Sequence, residues 1–352
     1  MPGGVSRGEG YDKGSTNQGS ANQGALEWLR KGGAAAVEVA PGVINILDLG
    51  SATGKNSAME LKVAVEALRK AEGSAKQDII ITHVDTTYND WNQLSKTLTT
   101  SPDSYLTATD RLYSHFQAKS FFEQVAPART IALAYSGISF HWISKNRPLS
   151  DFWCQEPHTA DRKAYEANKH QAAQDWLQLL QMRAIELLPG GYLVATAATL
   201  KGCESFNYLA GFINKGWNTA ASQGLITQEE CQTFMASHWF RSREEWLAPL
   251  QGELKDTFEV LQFQEDAVTD ANWHKYQQRD GDESQRRQML AEGYAEFFFG
   301  VSSGLVAGHL EKRSTEEIDK VIDLMRKEFV KQAAADPIEF KLAYALIVLK
   351  RK

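Results

Sequence analysis

Residues 43–56 read Val-Ile-Asn-Ile-Leu-Asp-Leu-Gly-Ser-Ala-Thr-Gly-Lys-Asn. The β-branched, almost unbroken apolar run ends in Asp48 and Gly50, the pattern of a strand buried on both faces where it enters a turn. Gly50 and Gly54 permit a tight loop and close backbone approach. Residues 56–71 then place Met59, Val63, Ala67 and Leu68 at helical spacing. The start of that helix offers free N–H groups and a positive dipole end, suited to a carboxylate or phosphate.

The unit recurs along the chain. Asp78–Asp85 is a second apolar strand ending in an acid, and a polar loop and helix follow it. Thr130–Tyr135 is a third strand. A long helix over 169–188 turns Trp176, Leu180, Met182 and Leu187 inward and stops at Pro189-Gly190-Gly191. Tyr192–Thr196 is a fourth strand. Upstream, Ala25–Lys31 makes a short helix running into Gly32-Gly33. Strands alternating with helices at this spacing predict a doubly wound parallel sheet, an α/β Rossmann-like core. Beyond residue 200 the texture changes. Residues 205–250 are helical and rich in aromatics, Phe258–Phe263 offers a further strand, 284–330 is mostly helix, and Leu342–Leu349 is a terminal strand. The predicted organisation is an N-terminal arm (1–24), a core (25–200), an inserted, mainly helical cap (201–283) and a C-terminal completion of the sheet (284–352).

The 352 residues are 43% apolar and 23% charged, enough for a sizeable buried core and one large or two modest domains. A net charge of −6 argues against nucleic acid as a partner, because that binding feeds on clustered Lys and Arg. Cys154, Cys203 and Cys231 are far apart and form no CxxC pair, so free thiols in a reducing cytoplasm are expected. No apolar run approaches the ~18 residues of a membrane span, and the glycine-rich start has no secretion-signal core. No pair of histidines has metal-ligand spacing, so no metal is expected.

In an open α/β sheet ligands sit beyond the carboxyl ends of the strands, near the switch in strand order. Three cofactor classes compete for the loop after Asp48. A phosphate-binding loop needs GxxxxGK[ST]; here Asn56 follows Lys55 and the glycines are one residue too close. A dinucleotide site needs GxGxxG, and only GxxxG is present. The third class is S-adenosylmethionine, with Asp48 facing its aminoacyl end and Asp85 its ribose hydroxyls.

Several motifs in order settle which class to expect. The arm reads Tyr11-x-x-x-Ser15-x-x-Gln18, the first loop is Asp48-Leu49-Gly50 through Asn56, and the second is Asp85-Thr86-Thr87-Tyr88-Asn89-Asp90-Trp91-Asn92. Ser120-Phe121, His141-Trp142-Ile143-Ser144, and Arg183, Glu186, Leu187 with Pro189–Gly191 follow. The sequence resembles the plant-type carboxyl methyltransferases known as SABATH, which include salicylic and jasmonic acid methyltransferases and relatives that methylate purine nitrogens. Two departures are Ser51, where the family usually has Cys, and Thr86, where it has Leu. The resemblance implies a class I methyltransferase fold that binds S-adenosylmethionine, leaves S-adenosylhomocysteine, and forms a homodimer; the cysteines and the lack of a signal or span predict a cytoplasmic location. It implies cofactor binding by Tyr11, Ser15, Asp48, Gly50, Ser51, Asn56, Asp85, Thr86, Ser120 and Phe121. It implies substrate binding by Gln18, His141 and Trp142, with Gln18 and Trp142 holding the reacting carboxylate. The expected activity is O-methylation of a small-molecule carboxylic acid; the alternative is N-methylation of a heterocycle, with His141 as a base.

Methyl transfer from a sulfonium is an in-line displacement. A carboxylic acid is already ionised at neutral pH and needs no general base. Orienting the reactants can supply roughly 7–11 kcal/mol of barrier reduction. An amide and an indole N–H are uncharged donors that fix the anion without neutralising it. A Lys or Arg there would stabilise the ground state as well, which gains nothing in rate. The arm, carrying Tyr11, Ser15 and Gln18, is expected to close over both ligands as a lid.

Overall fold

The first strand, β1 (Ile44–Leu49), is buried along nearly its whole length because it lies in mid-sheet with both faces covered. Ile44 and Ile46 join one hydrophobic cluster, Leu47 and Leu49 the other. The computed structural model describes residues 12, 15–71, 77–145 and 162–352. In chain order these form α1 (Thr16–Ala21), α2 (Leu26–Val39), β1, α3 (Lys55–Lys70), β2 (Ile79–Asp85), α4 (Trp91–Thr100), β3 (Leu112–Ala118), β4 (Ile131–Gly137), α5 (Arg162–Glu186) and β5 (Leu187–Ala198). Then come α6 (Glu204–Ser222), α7 (Gln228–Thr233), α8 (Arg243–Gln251), β6 (Phe258–Thr269), α9 (Ala271–Gln278), α10 (Glu283–His309), α11 (Thr315–Ala335) and β7 (Lys341–Arg351).

The seven strands form one sheet in the order β3-β2-β1-β4-β5-β7-β6. The first five are parallel; β7 runs antiparallel to β5, and β6 antiparallel to β7. The expected α/β doubly wound sheet is therefore present, with an antiparallel pair at one side. The order reverses between β1 and β4, which opens the ligand crevice beyond the ends of those two strands.

Four local expectations are corrected. Gly32 and Gly33 do not end α2; a Cβ on Gly33 would lie 2.3 Å from the Ala64 carbonyl oxygen, so the glycine is where α2 and α3 touch. Helix α3 buries Ala58, Leu61, Ala64, Val65 and Leu68, whereas Met59 is exposed and Val63 and Ala67 are half-buried. The small Ala58 and Ala64 allow that face the closer approach. Strand β3, absent from the predicted elements, is a sheet edge: it leaves Tyr113 and Phe116 exposed and shows no continuous apolar run. Finally, β6 lies within the expected cap range yet is the far edge of the core sheet, because its partner β7 comes from the chain terminus. The aromatic helical layer continues past residue 284, where Phe298 of α10 packs on Phe206 of α6 and Phe329 of α11 at ring-centre distances of 5.2 and 5.3 Å.

Candidate active site

The turn after β1 brings backbone amides to the strand ends. Gly50 (φ +82°) and Gly54 (φ +79°) adopt left-handed backbone, and a Cβ would meet Ser139 Oγ at 2.3 Å or Leu94 Cδ1 at 2.4 Å. Between them, the Ala52 N–H donates to Asp85 Oδ2 at 2.8 Å, and the Thr86 N–H donates to Asp85 Oδ1 at 2.7 Å. Burial nevertheless pushes the Asp85 carboxyl up to about 6, and those two amides pull it the other way. Asp48 is buried and bonded to His83 Nδ1 at 2.7 Å; His83 Nε2 meets the Tyr105 hydroxyl at 2.6 Å.

A polar cavity opens here, walled by Asp48, Gly50–Ser57, Glu60, Gly137 and, from the arm, Gln18 and Asn22. Ser51 and Ser57 present buried hydroxyls that lack a protein partner. Buried polar atoms are normally paired, so orphans around a polar cavity suit a polar ligand such as the aminoacyl group of S-adenosylmethionine. The donor set fits that cofactor.

The arm is folded down. Ser15 is fully buried, and its carbonyl accepts from Asn56 Nδ2 at 3.1 Å. The Asp12 carboxylate accepts from Thr53 Oγ1 at 2.5 Å. Asn17 Nδ2 donates to Asp270 at the start of α9 at 2.5 Å, which ties α1 to the other side of the crevice. Gln18 is thereby buried at the boundary of two cavities. Tyr11 lies outside the described residues.

The second cavity is walled largely by apolar side chains, Phe206, Phe240, Phe297, Phe298, Val301 and Leu342 among them. Gln18, His141, Trp142 and His238 are the polar-tipped groups of the same wall, with His238 4.9 Å from Phe240 between ring centres. Trp142 and His238 pair as an isolated antiparallel bridge, and the Trp239 N–H donates to the His141 carbonyl at 2.8 Å. Arg241, buried, donates to the Phe140 and Ala172 carbonyls at 2.7 and 2.8 Å, and so fixes the chain just before His141. Burial, with His238 and Arg241 nearby, pushes His141 down to about 3. It is a neutral imidazole at any working pH and a poor base.

The geometry thus gathers Ser15, Gln18, Asp48, Gly50, Ser51 and Asn56 around the polar cavity, and Gln18, His141 and Trp142 at the apolar one. Asp85 and Thr86 join the first group through the Ala52 turn. Ser120 and Phe121 wall neither cavity; Phe121 packs against Phe140 at 5.6 Å, while Ser120 Oγ accepts from the Phe122 N–H at 3.3 Å. The Arg183 and Glu186 motif explains that loop. The buried Arg183 donates to the carbonyls of Phe121 and Glu123, and Glu186 accepts from Arg183 and from the Val125 and Ala126 amides. Sequence reasoning missed His238 and Arg241, which lie in an aperiodic stretch. It also missed Glu60, whose sequence signal is a single acid among the buried residues of α3.

The switch-point crevice, with its acid-ended strands and glycine turn, is that of an S-adenosylmethionine-dependent methyltransferase of the Rossmann-like class. The model of the SAM-dependent carboxyl methyltransferases matches residues 1–352, and the chain belongs to that family. A loganic acid methyltransferase solved with SAH superposes over 100% of this chain and 99% of its own at a TM-score of 0.72 and 18% identity, which shows the shared fold. Among curated relatives, Paraxanthine methyltransferase 2 of Arabidopsis thaliana is 27% identical over 239 residues, 62% of this chain and 65% of its own length. Farnesoic acid carboxyl-O-methyltransferase of the same plant is 26% identical over 215 residues, 56% of this chain and 59% of its own. The chain spans less than two thirds of the length of these relatives. No helix among the described residues is long and apolar enough to cross a membrane.

Proposed function

We propose that the chain transfers a methyl group to a carboxylate oxygen of a small, largely apolar acid. The observation that carries this reading is that Gln18 stands in the wall of both cavities and Trp142 in the wall of the apolar one. Bound S-adenosylmethionine supplies an electrophilic methyl on a sulfonium. Asp85 and Asp48 are the strand-end acids placed to hold it, and Ser51 and Ser57 offer hydroxyls. The amide of Gln18 and the indole N–H of Trp142 orient the acid's carboxylate. So oriented, a carboxylate lone pair would form the new O–CH₃ bond while the C–S bonding pair leaves on sulfur as S-adenosylhomocysteine, and no proton would need to move. Among the described residues no Lys or Arg walls the apolar cavity, so the anion keeps its nucleophilicity. The aromatic wall excludes water and accommodates an apolar body.

The relatives named above include both carboxylic acid and xanthine methyltransferases. A ring nitrogen that must shed its proton needs a base, and His141, held down at about 3, does not serve as one. The test uses the purified chain, methyl-labelled cofactor and a panel of acids and xanthines. Base-labile labelled esters are expected, and label confined to nitrogen would refute the reading. Gln18→Ala and Trp142→Ala are each expected to lower kcat/KM at least about tenfold, equivalent to ~1.4 kcal/mol of positioning energy.

A further inference from the structure

Glu60 is the one acid on the buried face of α3, and it is fully enclosed. Its carboxylate accepts from Asn22 Nδ2 of the arm at 2.8 Å and from the Tyr135 hydroxyl of β4 at 2.5 Å. Thr196 of β5 completes the chain by donating to Asn22 Oδ1. The carboxylate thus ties the arm to two strands, yet it also walls the polar cavity alongside Asp48. In the same wall, the unpartnered Ser51 and Ser57 hydroxyls, in residues only 5% and 8% exposed, independently point to a polar ligand.

We propose that Glu60 is a second acidic group of the cofactor cavity, which ionises as a cationic part of the cofactor enters and thereby couples cofactor binding to the seating of the arm. The proposal rests on the reading that this cavity takes the aminoacyl end of S-adenosylmethionine, whose ammonium is the cation in question. Its chemistry is an acid dissociation: the O–H bond of the carboxyl breaks, both electrons stay on oxygen and the proton leaves to the buffer.

Electrostatics in the empty cavity support this. Burial pushes the Glu60 carboxyl up to about 7, the Tyr135 and Asn22 hydrogen bonds pull it down, and Asp48 adds to the rise. The groups facing it are Asp48 from β1, with His83 from β2 behind it, Tyr135 from β4 and the neutral Asn22 from the arm. Near neutral pH the Glu60 carboxyl is substantially protonated, so it can add a negative charge to the wall as an ammonium arrives. Ionised Glu60 is also the better acceptor for Asn22 and Tyr135, so the same event tightens the hold on the arm.

The experiment is calorimetric titration of the whole chain with S-adenosylhomocysteine at pH 6.5, in buffers of different ionisation enthalpy. The wild type is expected to release on the order of half a proton more than Glu60→Gln, and its affinity to tighten about tenfold between pH 5.5 and 7.5. Equal proton release in the two proteins overturns the assignment, even if both bind. Absence of binding by the wild type at every pH overturns the cavity reading itself. Should Glu60→Gln fail to fold, Tyr135→Phe decides: it removes a bond that favours the charged form, so the midpoint of the wild-type affinity profile is expected to move to higher pH. An unmoved midpoint overturns the proposal.

Discussion

The two cavities that meet at Gln18 are built in opposite ways. The polar one is mostly a single stretch of chain, Asp48–Ser57, folded around two left-handed glycines, with the arm laid over it. The apolar one is assembled from segments nearly the length of the chain apart, from Gln18 to Leu342. Their electrostatics are opposed as well. Burial beside the first raises acids, Glu60 to about 7 and Asp85 to about 6, whereas in the second it lowers His141 to about 3. Each environment resists charge, but the first holds acids that can ionise when a cation arrives. The second holds a base kept neutral. On the proposed reading, a cationic methyl donor and an apolar acid call for that pairing.

The largest expected effect lies beneath both sites. Arg183→Leu would leave the Glu186 carboxylate buried without its cation and free the 120–126 loop of two carbonyl anchors. Removing one partner of a buried pair costs about 3–5 kcal/mol. Urea unfolding should show that loss, and a change under ~1 kcal/mol would mean the loop holds itself. Next in size, Asp85→Ala is expected to weaken S-adenosylhomocysteine binding roughly tenfold to a hundredfold, the range for hydrogen bonds to a charged group. It should leave the apolar cavity unaltered. Equilibrium binding measures the first effect, and fluorescence of a bound apolar acid the second. If both ligands weaken equally, the cavities are not separable.

This contrast also decides what was legible in the sequence. Asp48, Gly50, Gly54 and Asp85 are readable because a strand end, a turn and a helix start impose local patterns on neighbouring residues. The central strands show as apolar runs because both their faces are buried. Edge strand β3 does not, since solvent tolerates any residue on its open face. His238 and Arg241 were invisible because they act from an irregular segment, and it is their pairing with residues 140–142 that gives them roles. The face of α3 was misread because two stripes one position apart both satisfy a 3.6-residue period. Only contact with Gly33 of α2 selects between them. Gln18 was legible as a motif residue, but its position between two cavities depends on Asn17 reaching Asp270 across the sheet.

The smallest predicted effect tests the electrostatic half of the contrast. His141 in the folded chain titrates near 3, below the ~6.5 of an exposed imidazole. As pH falls through 6.5 the unfolded chain takes up the proton first, so His141's contribution to stability is complete above that pH and declines below it. The slope approaches ~1.4 kcal/mol per pH unit, or about 1 kcal/mol between pH 6.5 and 5.5. Glu60 and Asp85 act in the opposite direction. Their folded values are raised, so their contribution is full in acid and is lost as pH rises through about 6 to 7. The wild-type profile mixes these terms, and the difference from His141→Gln isolates one of them. Urea midpoints at pH 5.5 and 7.5 should show the variant losing less stability in acid than the wild type. Parallel profiles would mean that the imidazole is hydrated, and the apolar cavity would then be no place to keep a carboxylate dry.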